Sequence, residues 1–487
     1  MLRRLGTLSV FLFLSLLFAL QGRGEENSVL SETTHYDNQS FWEKERTTTW
    51  FVELRDPIRN AILEEARKRR RLWPALTPID QSCLAELKIR RYNGKYVTFY
   101  TDLPATEYLD DFVHTLDDTV PELCKQFRLD LPMFDDWHID AFLMSSKKPF
   151  EKTGALEGTP DFQFGYSYYD RIFVIDQKYD YYNCFLLMHE LIHSFMHETF
   201  GALNPRWYSE GMAESLALYR FENNALQIGI IPREKNDTPG FKRLETIQKD
   251  ARNNAIPAIE TIFRYTPDDY RSNVTYSWSW AFVLFLQNHP KYKNIAEKMP
   301  YYMMSPDPVA RLRNMIGGQW AQFVADWYDF ARWLDYSYDF NTMAIDYAPG
   351  KISPEIQNRQ GLACDVPANK GWVSSGVIVE AGKTYRIGST GRIELYDSRQ
   401  MVPSEGGGVT YQYIKGRPRG ILLMSILPES TGQKTAFVPW SDTTTVNANR
   451  TFKPEQSGTL FLRINDTADN LAKNKGSLTF HIREELP

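Results

Sequence analysis

One short segment constrains this chain more than any other part of its 487 residues: Leu187-Met188-His189-Glu190-Leu191-Ile192-His193. On a helix, residues i and i+4 share a face, so His189 and His193 project side by side with Glu190 beside the first. Two imidazoles at that spacing converge on one Zn²⁺, and the glutamate can reach a water at the metal. The apolar residues around the motif predict a buried helix over Tyr182–Phe200. At this chain's own residue frequencies the pattern arises by chance fewer than about 0.02 times. The chain has only eight histidines, and His197 continues the i+4 series. It lies about 80° around the helix from His189, and a fourth protein ligand would close the position that water needs. His197 is therefore expected beside the substrate or packed in the core.

A third ligand has to come from elsewhere. A glycine three residues after His193 and a histidine three further on would make a metzincin, but those positions hold Met196 and Thr199. Downstream lies Trp207-Tyr208-Ser209-Glu210-Gly211-Met212-Ala213-Glu214, with sixteen residues between His193 and Glu210. Glu210 is placed on a second helix, read as Tyr208–Phe221, as a carboxylate ligand. Glu214 follows one turn later, where it is expected to accept the free ring N–H of a ligating histidine.

These residues resemble the gluzincin metallopeptidases, the thermolysin and membrane-alanyl-aminopeptidase type, in their secreted bacterial form. In that family HExxH is followed on a later helix by a glutamate, in aminopeptidases within W-x-x-E-G-x-A. The resemblance implies an α+β catalytic domain, a mixed sheet followed by a helical bundle. It implies zinc on His189, His193 and Glu210, with Glu190 as general base and acid. It also suggests Tyr276, which stands 66 positions after Glu210 at the start of an apolar helix, as a donor to the oxyanion. The aminopeptidases carry G-x-M-E-N upstream, whose glutamate captures a free amino group. Here the corresponding stretch is Phe164-Gly165-Tyr166-Ser167-Tyr168-Tyr169, which favours an endopeptidase.

The rest of the chain frames this segment. Arg3 and Arg4 precede a 13-residue apolar run, Leu8–Leu20, that turns polar at once. That is the profile of a signal peptide ending near residue 24 and implies a secreted or periplasmic protein with no membrane span in the mature chain. Residues 25–80 form an N-terminal extension with a basic helix at 56–72, residues 81–350 the metallopeptidase domain, and 351–371 a linker. Strands are expected at Ile89–Thr101, Trp137–Met144 and Arg171–Ile175. Helices are expected at Tyr108–Arg128, Ser277–His289, Asp307–Met315 and Trp320–Leu334. The four cysteines are too far apart to assign pairs, so two disulfides or free thiols both remain open.

Residues 372–487 recur as short strands between Gly-rich turns, an all-β sandwich. Its end, Arg463-Ile464-Asn465-Asp466 and then Asn474-Lys475-Gly476-Ser477, resembles the calcium-dependent galactose-binding bacterial lectin sandwich. By position Asp466, Asn470 and Asn474 match the family's calcium loop. Lys473 falls where that family has an oxygen ligand, and Asp469 is the available substitute.

Lys+Arg is 56 against Asp+Glu 61, a net charge of −5. Without a basic surplus, nucleic acid is not a partner. The expectation is a zinc-dependent endopeptidase, with calcium a candidate in the sandwich, acting on peptide or protein substrates, glycosylated or not. The competing reading is a catalytically inert zinc protein serving as a carbohydrate- or surface-binding module.

Overall fold

The computed structural model describes Glu64, Lys68, Trp73 and residues 75–201, 205–303, 307–357, 360–398, 400–428, 444–446 and 450–485. The expected signal segment, and all of the basic helix except Glu64 and Lys68, lie outside the described residues. Helices of eight residues or more are labelled α.

The first sheet contains β1 (Arg90–Asn93), β2 (Val97–Thr101), β3 (Ile139–Met144), β4 (Gly165–Tyr168) and β5 (Arg171–Ile175), in the order β1-β2-β3-β5-β4. β2, β3 and β5 run parallel, and β1 and β4 close the two edges antiparallel. The central strands are nearly continuous apolar runs because helices or loops cover both faces. Helix α1 (Glu107–Phe127) connects β2 to β3. The stretch Ile89–Thr101, expected as one strand, is a hairpin turning at Gly94.

Helix α2 (Asp180–Phe200) is apolar on almost every face, and so it is buried. It ends at Gly201, whose φ of +81° suits glycine. Helix α3 (Arg206–Leu216) packs across α5 (Asn273–Asn288). Gly211 permits that crossing, since a Cβ there would lie 2.5 Å from the Ser279 backbone oxygen. Trp207, Trp278, Trp280 and Trp327 are all buried around this crossing; a fully buried side chain of this kind contributes roughly 1.5–3 kcal/mol or more.

α3 is shorter than expected. The segment read as its last turn becomes β6 (Tyr219–Glu222), paired with β7 (Ala225–Ile228) through Asn223 and Asn224, at φ +51° and +62°. Adjacent asparagines at positive φ form a tight hairpin turn, which stops the helix. Helix α4 (Arg243–Arg252) was not anticipated, because its exposed face is strongly charged. α6 (Pro308–Ile316) and α7 (Trp320–Trp333) complete the helical layer.

The C-terminal part is two sheets of antiparallel strands. One contains β8 (Leu362–Pro367), β10 (Tyr385–Asp397), β11 (Gln400–Ser404), β15 (Arg450–Phe452) and β17 (Lys475–Glu484). The other contains β9 (Val373–Val379), β12 (Gly407–Ile414), β13 (Arg417–Pro428), β14 (Thr444–Val446) and β16 (Gly458–Ile464). Val366, Ile387, Leu422, Leu462, Leu478 and Phe480 interdigitate between them. β8 falls in the stretch expected to be linker; it pairs with β17 and belongs to the sandwich.

The two halves are joined by a shared apolar cluster, beside the one enclosed within the sandwich. Trp372, Leu423 and Phe461 of the sandwich join the apolar cluster of the helical half. Trp372 Nε1 donates to Asp329 Oδ1 of α7 at 2.7 Å. Arg463, wholly buried, lies with its guanidinium carbon 3.7 Å from the centre of the Trp333 ring. All four cysteines are free thiols.

Candidate metal centre

α2 and α3 bring His189, His193 and Glu210 together. Their donor atoms all lie within 4.8 Å of one another, and among the described residues this is the one group of acidic, histidine or cysteine donors so placed. The imidazole Nε2 atoms are 3.1 Å apart. Glu210 Oε2 is 3.2 Å from His193 Nε2 and 3.4 Å from His189 Nε2. Zinc–nitrogen and zinc–oxygen bonds of about 2.0 Å in a tetrahedral site give ligand–ligand edges of roughly 3.3 Å. The donor set therefore fits a tetrahedral divalent ion, with one corner left for water or substrate.

Charged neighbours surround this set. The other oxygen of Glu210 forms an ion pair with Arg206 Nε at 3.0 Å, one turn earlier on α3, so a single oxygen faces the histidines. Burial opposes ionisation of Glu210, but the facing imidazoles outweigh it and hold its pKa well below the usual carboxylate value. Glu214 lies behind His189, with its Oε1 3.7 Å from Nδ1. That exceeds hydrogen-bond reach. Both Glu214 oxygens are taken by Arg243 of α4, at 2.8 and 2.9 Å. The expected carboxylate–histidine hydrogen bond is thus not made, and His189 Nδ1 is buried without a hydrogen-bond partner among the described residues.

Glu190 is buried beside the donors, and burial pushes its carboxyl up to about 7; His193 pulls against this shift and the Glu210 charge adds to it. Such a group can take up and release a proton near neutrality. Edge strand β4 passes directly over it. A Cβ on Gly165 would lie 2.5 Å from Glu190 Oε1, so any side chain there would push the Glu190 carboxylate from this position.

The donors form the floor of a cleft of about 430 Å³, walled by Gly165–Tyr169, Ser194, His197, Arg206, Ser209 and Tyr276. Tyr276 projects from α5, its ring 6.4 Å from that of His189. Burial, reinforced by the Glu210 charge, raises its pKa and keeps the hydroxyl a donor. His197 is exposed at the cleft, its ring 5.1 Å from Trp73, so it stands on the substrate side and not in the core. Arg206 and Arg243 could not be found in the sequence. Their roles depend on contacts to Glu210 and Glu214, and no motif marks them.

The sandwich loop behaves differently. Asp466 is wholly buried and its two oxygens are filled. Oδ1 accepts from Arg419 Nε and the Thr467 amide, both at 2.8 Å, and Oδ2 accepts from Arg419 Nη2 and Asn474 Nδ2, both at 2.9 Å. Asn474 Oδ1 accepts from the Tyr396 amide, and Asn470 sits on the short turn Ala468–Leu471. Asp469, the candidate substitute ligand, pairs with Lys473 at 3.0 Å. Calcium needs six to eight free oxygens, so Asp466, Asn470 and Asn474 do not fit it. The Arg419 guanidinium supplies the positive charge instead. Asn465, within an N-x-T sequon, is also buried, which shields it from glycosylation in the folded chain.

No protein-family model matches the chain, and no curated protein matches it. Among solved structures, the EclA N-terminal domain, a PllA-like lectin, is 17% identical with a TM-score of 0.21, covering 26% of this chain and 100% of that one. An aminopeptidase N family protein from Idiomarina loihiensis is 12% identical with a TM-score of 0.30, covering 82% and 69%. IMPa from Pseudomonas aeruginosa, in complex with an O-glycopeptide, is 15% identical with a TM-score of 0.14, covering 52% of this chain and 25% of its own. At TM-scores of this size the likenesses establish no shared fold; what the structure itself shows is a mixed α and β chain of several sheets, carrying a His-His-Glu set able to hold a metal.

Proposed function

We propose that the chain is a zinc-dependent peptidase of the gluzincin type, acting as an endopeptidase on peptide or protein substrates outside the cytoplasm. One observation carries this reading: His189, His193 and Glu210 converge at the floor of an open cleft, with the Glu190 carboxyl beside them. When bound, zinc supplies Lewis-acid polarisation of a carbonyl and acidifies water. Glu190 takes the proton from the attacking water and returns it to the departing amine nitrogen. The Tyr276 hydroxyl donates to the carbonyl oxygen as that atom gains charge. Arg206 keeps one Glu210 oxygen turned away from the histidines. β4 pairs only with β5 among the described strands, so its outer edge is available to an extended peptide by strand addition.

Endopeptidase action is favoured over aminopeptidase action because the carboxylates lining the cleft, among the described residues, are Glu190 and Glu210. Both have roles already, and neither is spare to hold a free amino terminus. The test is proteome-scale cleavage profiling of wild type against Glu190→Gln, with zinc content measured on both. Cleavage is expected from wild type alone, with zinc stoichiometric in each. Zinc without hydrolysis by wild type over a broad peptide library would overturn the reading in favour of an inert zinc-binding module.

A further inference from the structure

We infer that Arg206 is a specificity residue that receives a carboxylate of the substrate next to the scissile bond; this rests on the peptidase reading above and assigns its substrate class. Arg206 is the one arginine or lysine lining the cleft among the described residues, and its side chain is 48% exposed there. Its Nε is committed to Glu210. Its two terminal nitrogens make no hydrogen bond among the described residues. A guanidinium held at one edge is pre-organised, so its outer fork is presented without further loss of side-chain freedom. Ser194 adds a second unmet donor. The residue is 4% exposed and lines the same cleft, and its hydroxyl is buried with no partner among the described residues.

Unmet donors call for an acceptor, and charge decides which kind. Glu214 is neutralised by Arg243, which leaves Glu190, Glu210 and Arg206 as the charged groups around the donors. A divalent ion brings the local sum to about one positive charge. A single carboxylate balances that charge and matches the planar fork in two parallel hydrogen bonds. A phosphate dianion would overshoot it and be repelled by the neighbouring carboxylates. The carboxylate can come from an Asp or Glu side chain or from a free C-terminus.

The test uses the full-length Glu190→Gln protein loaded with zinc, which binds without turning over. Alanine-rich hexapeptides with one Glu, or its neutral isostere Gln, moved through every position are titrated by calorimetry, with both ends blocked and, in parallel, with the C-terminus free. At one position Glu is expected to bind on the order of tenfold more tightly than Gln. In Glu190→Gln/Arg206→Gln that preference disappears, and in Glu190→Gln/Arg206→Lys part of it returns. Zinc content is measured for each, because a residue that only held Glu210 would change metal binding and leave the Glu/Gln ratio alone. A preference for the free C-terminus over the amide, lost in the same variant, assigns the terminal source. Equal binding of all charged and neutral peptides, or a preference that survives Arg206→Gln, overturns the inference alone. Binding of no peptide at all overturns the peptidase reading and the inference with it.

Discussion

Two clusters in this molecule look alike in sequence and have opposite electrostatic solutions. His189, His193 and Glu210 gather three donors with no protein cation between them; Arg206 touches only the outer oxygen of Glu210. Asp466 and Asn474 gather oxygen-bearing side chains in a loop that also resembles a cation site, but Arg419 fills it with two parallel hydrogen bonds. The first cluster is complete only with an ion from outside. The second carries its own positive charge, 47 residues away in sequence. A motif gives the donors; the fold decides whether the cation is already built in.

The largest effect expected on this contrast comes from Arg419→Ala. Breaking a buried pair strands the Asp466 charge, and the cost should be about 3–5 kcal/mol. Urea unfolding will measure it, and the double variant Arg419→Ala/Asp466→Ala should lose much less than the sum of the two single variants. Additive losses would mean that the pair is not one unit. Next comes His193→Ala. Partners that merely orient a ligand are worth about 10–100-fold in metal affinity, so losing a ligand should weaken zinc by more than about a hundredfold, measured by competition with a chromogenic chelator. Gly165→Ala follows. Its new methyl group displaces the Glu190 carboxylate, so kcat should drop on the order of tenfold while zinc content stays at one per chain. The smallest expected effect is none: millimolar Ca²⁺ should leave the melting temperature of the wild type unchanged. A rise of several degrees would erase the distinction between the clusters.

What could be read in advance followed how local each signal is. α2 and Glu210 were legible because the spacing of a helix is fixed by its own geometry. Tyr276 could be placed beside them because it opens an apolar helix at a familiar separation. Gly211 was visible, but its purpose became clear only where α3 meets the Ser279 backbone. The helical reading of Tyr208–Phe221 ran past the true end of the helix at Leu216, because the strand over Tyr219–Glu222 is settled by its pairing with Ala225–Ile228. Arg243, Arg206 and Arg419 were unreadable as functional residues. An exposed arginine and one that neutralises a buried carboxylate have the same letter, and only tertiary contacts separate them.

The Arg463–Trp333 contact and the Trp372–Asp329 hydrogen bond have a consequence for how the molecule comes apart on heating. One apolar cluster spans the helical half and the adjoining face of the sandwich, beside the separate cluster that the sandwich encloses between its own sheets, and the shared cluster couples the unfolding of the two halves. Melting should then be a single cooperative event, with one calorimetric peak where a jointed chain would give two. Any gain or loss of strength on one side of that seam is felt as a change in the survival of the whole.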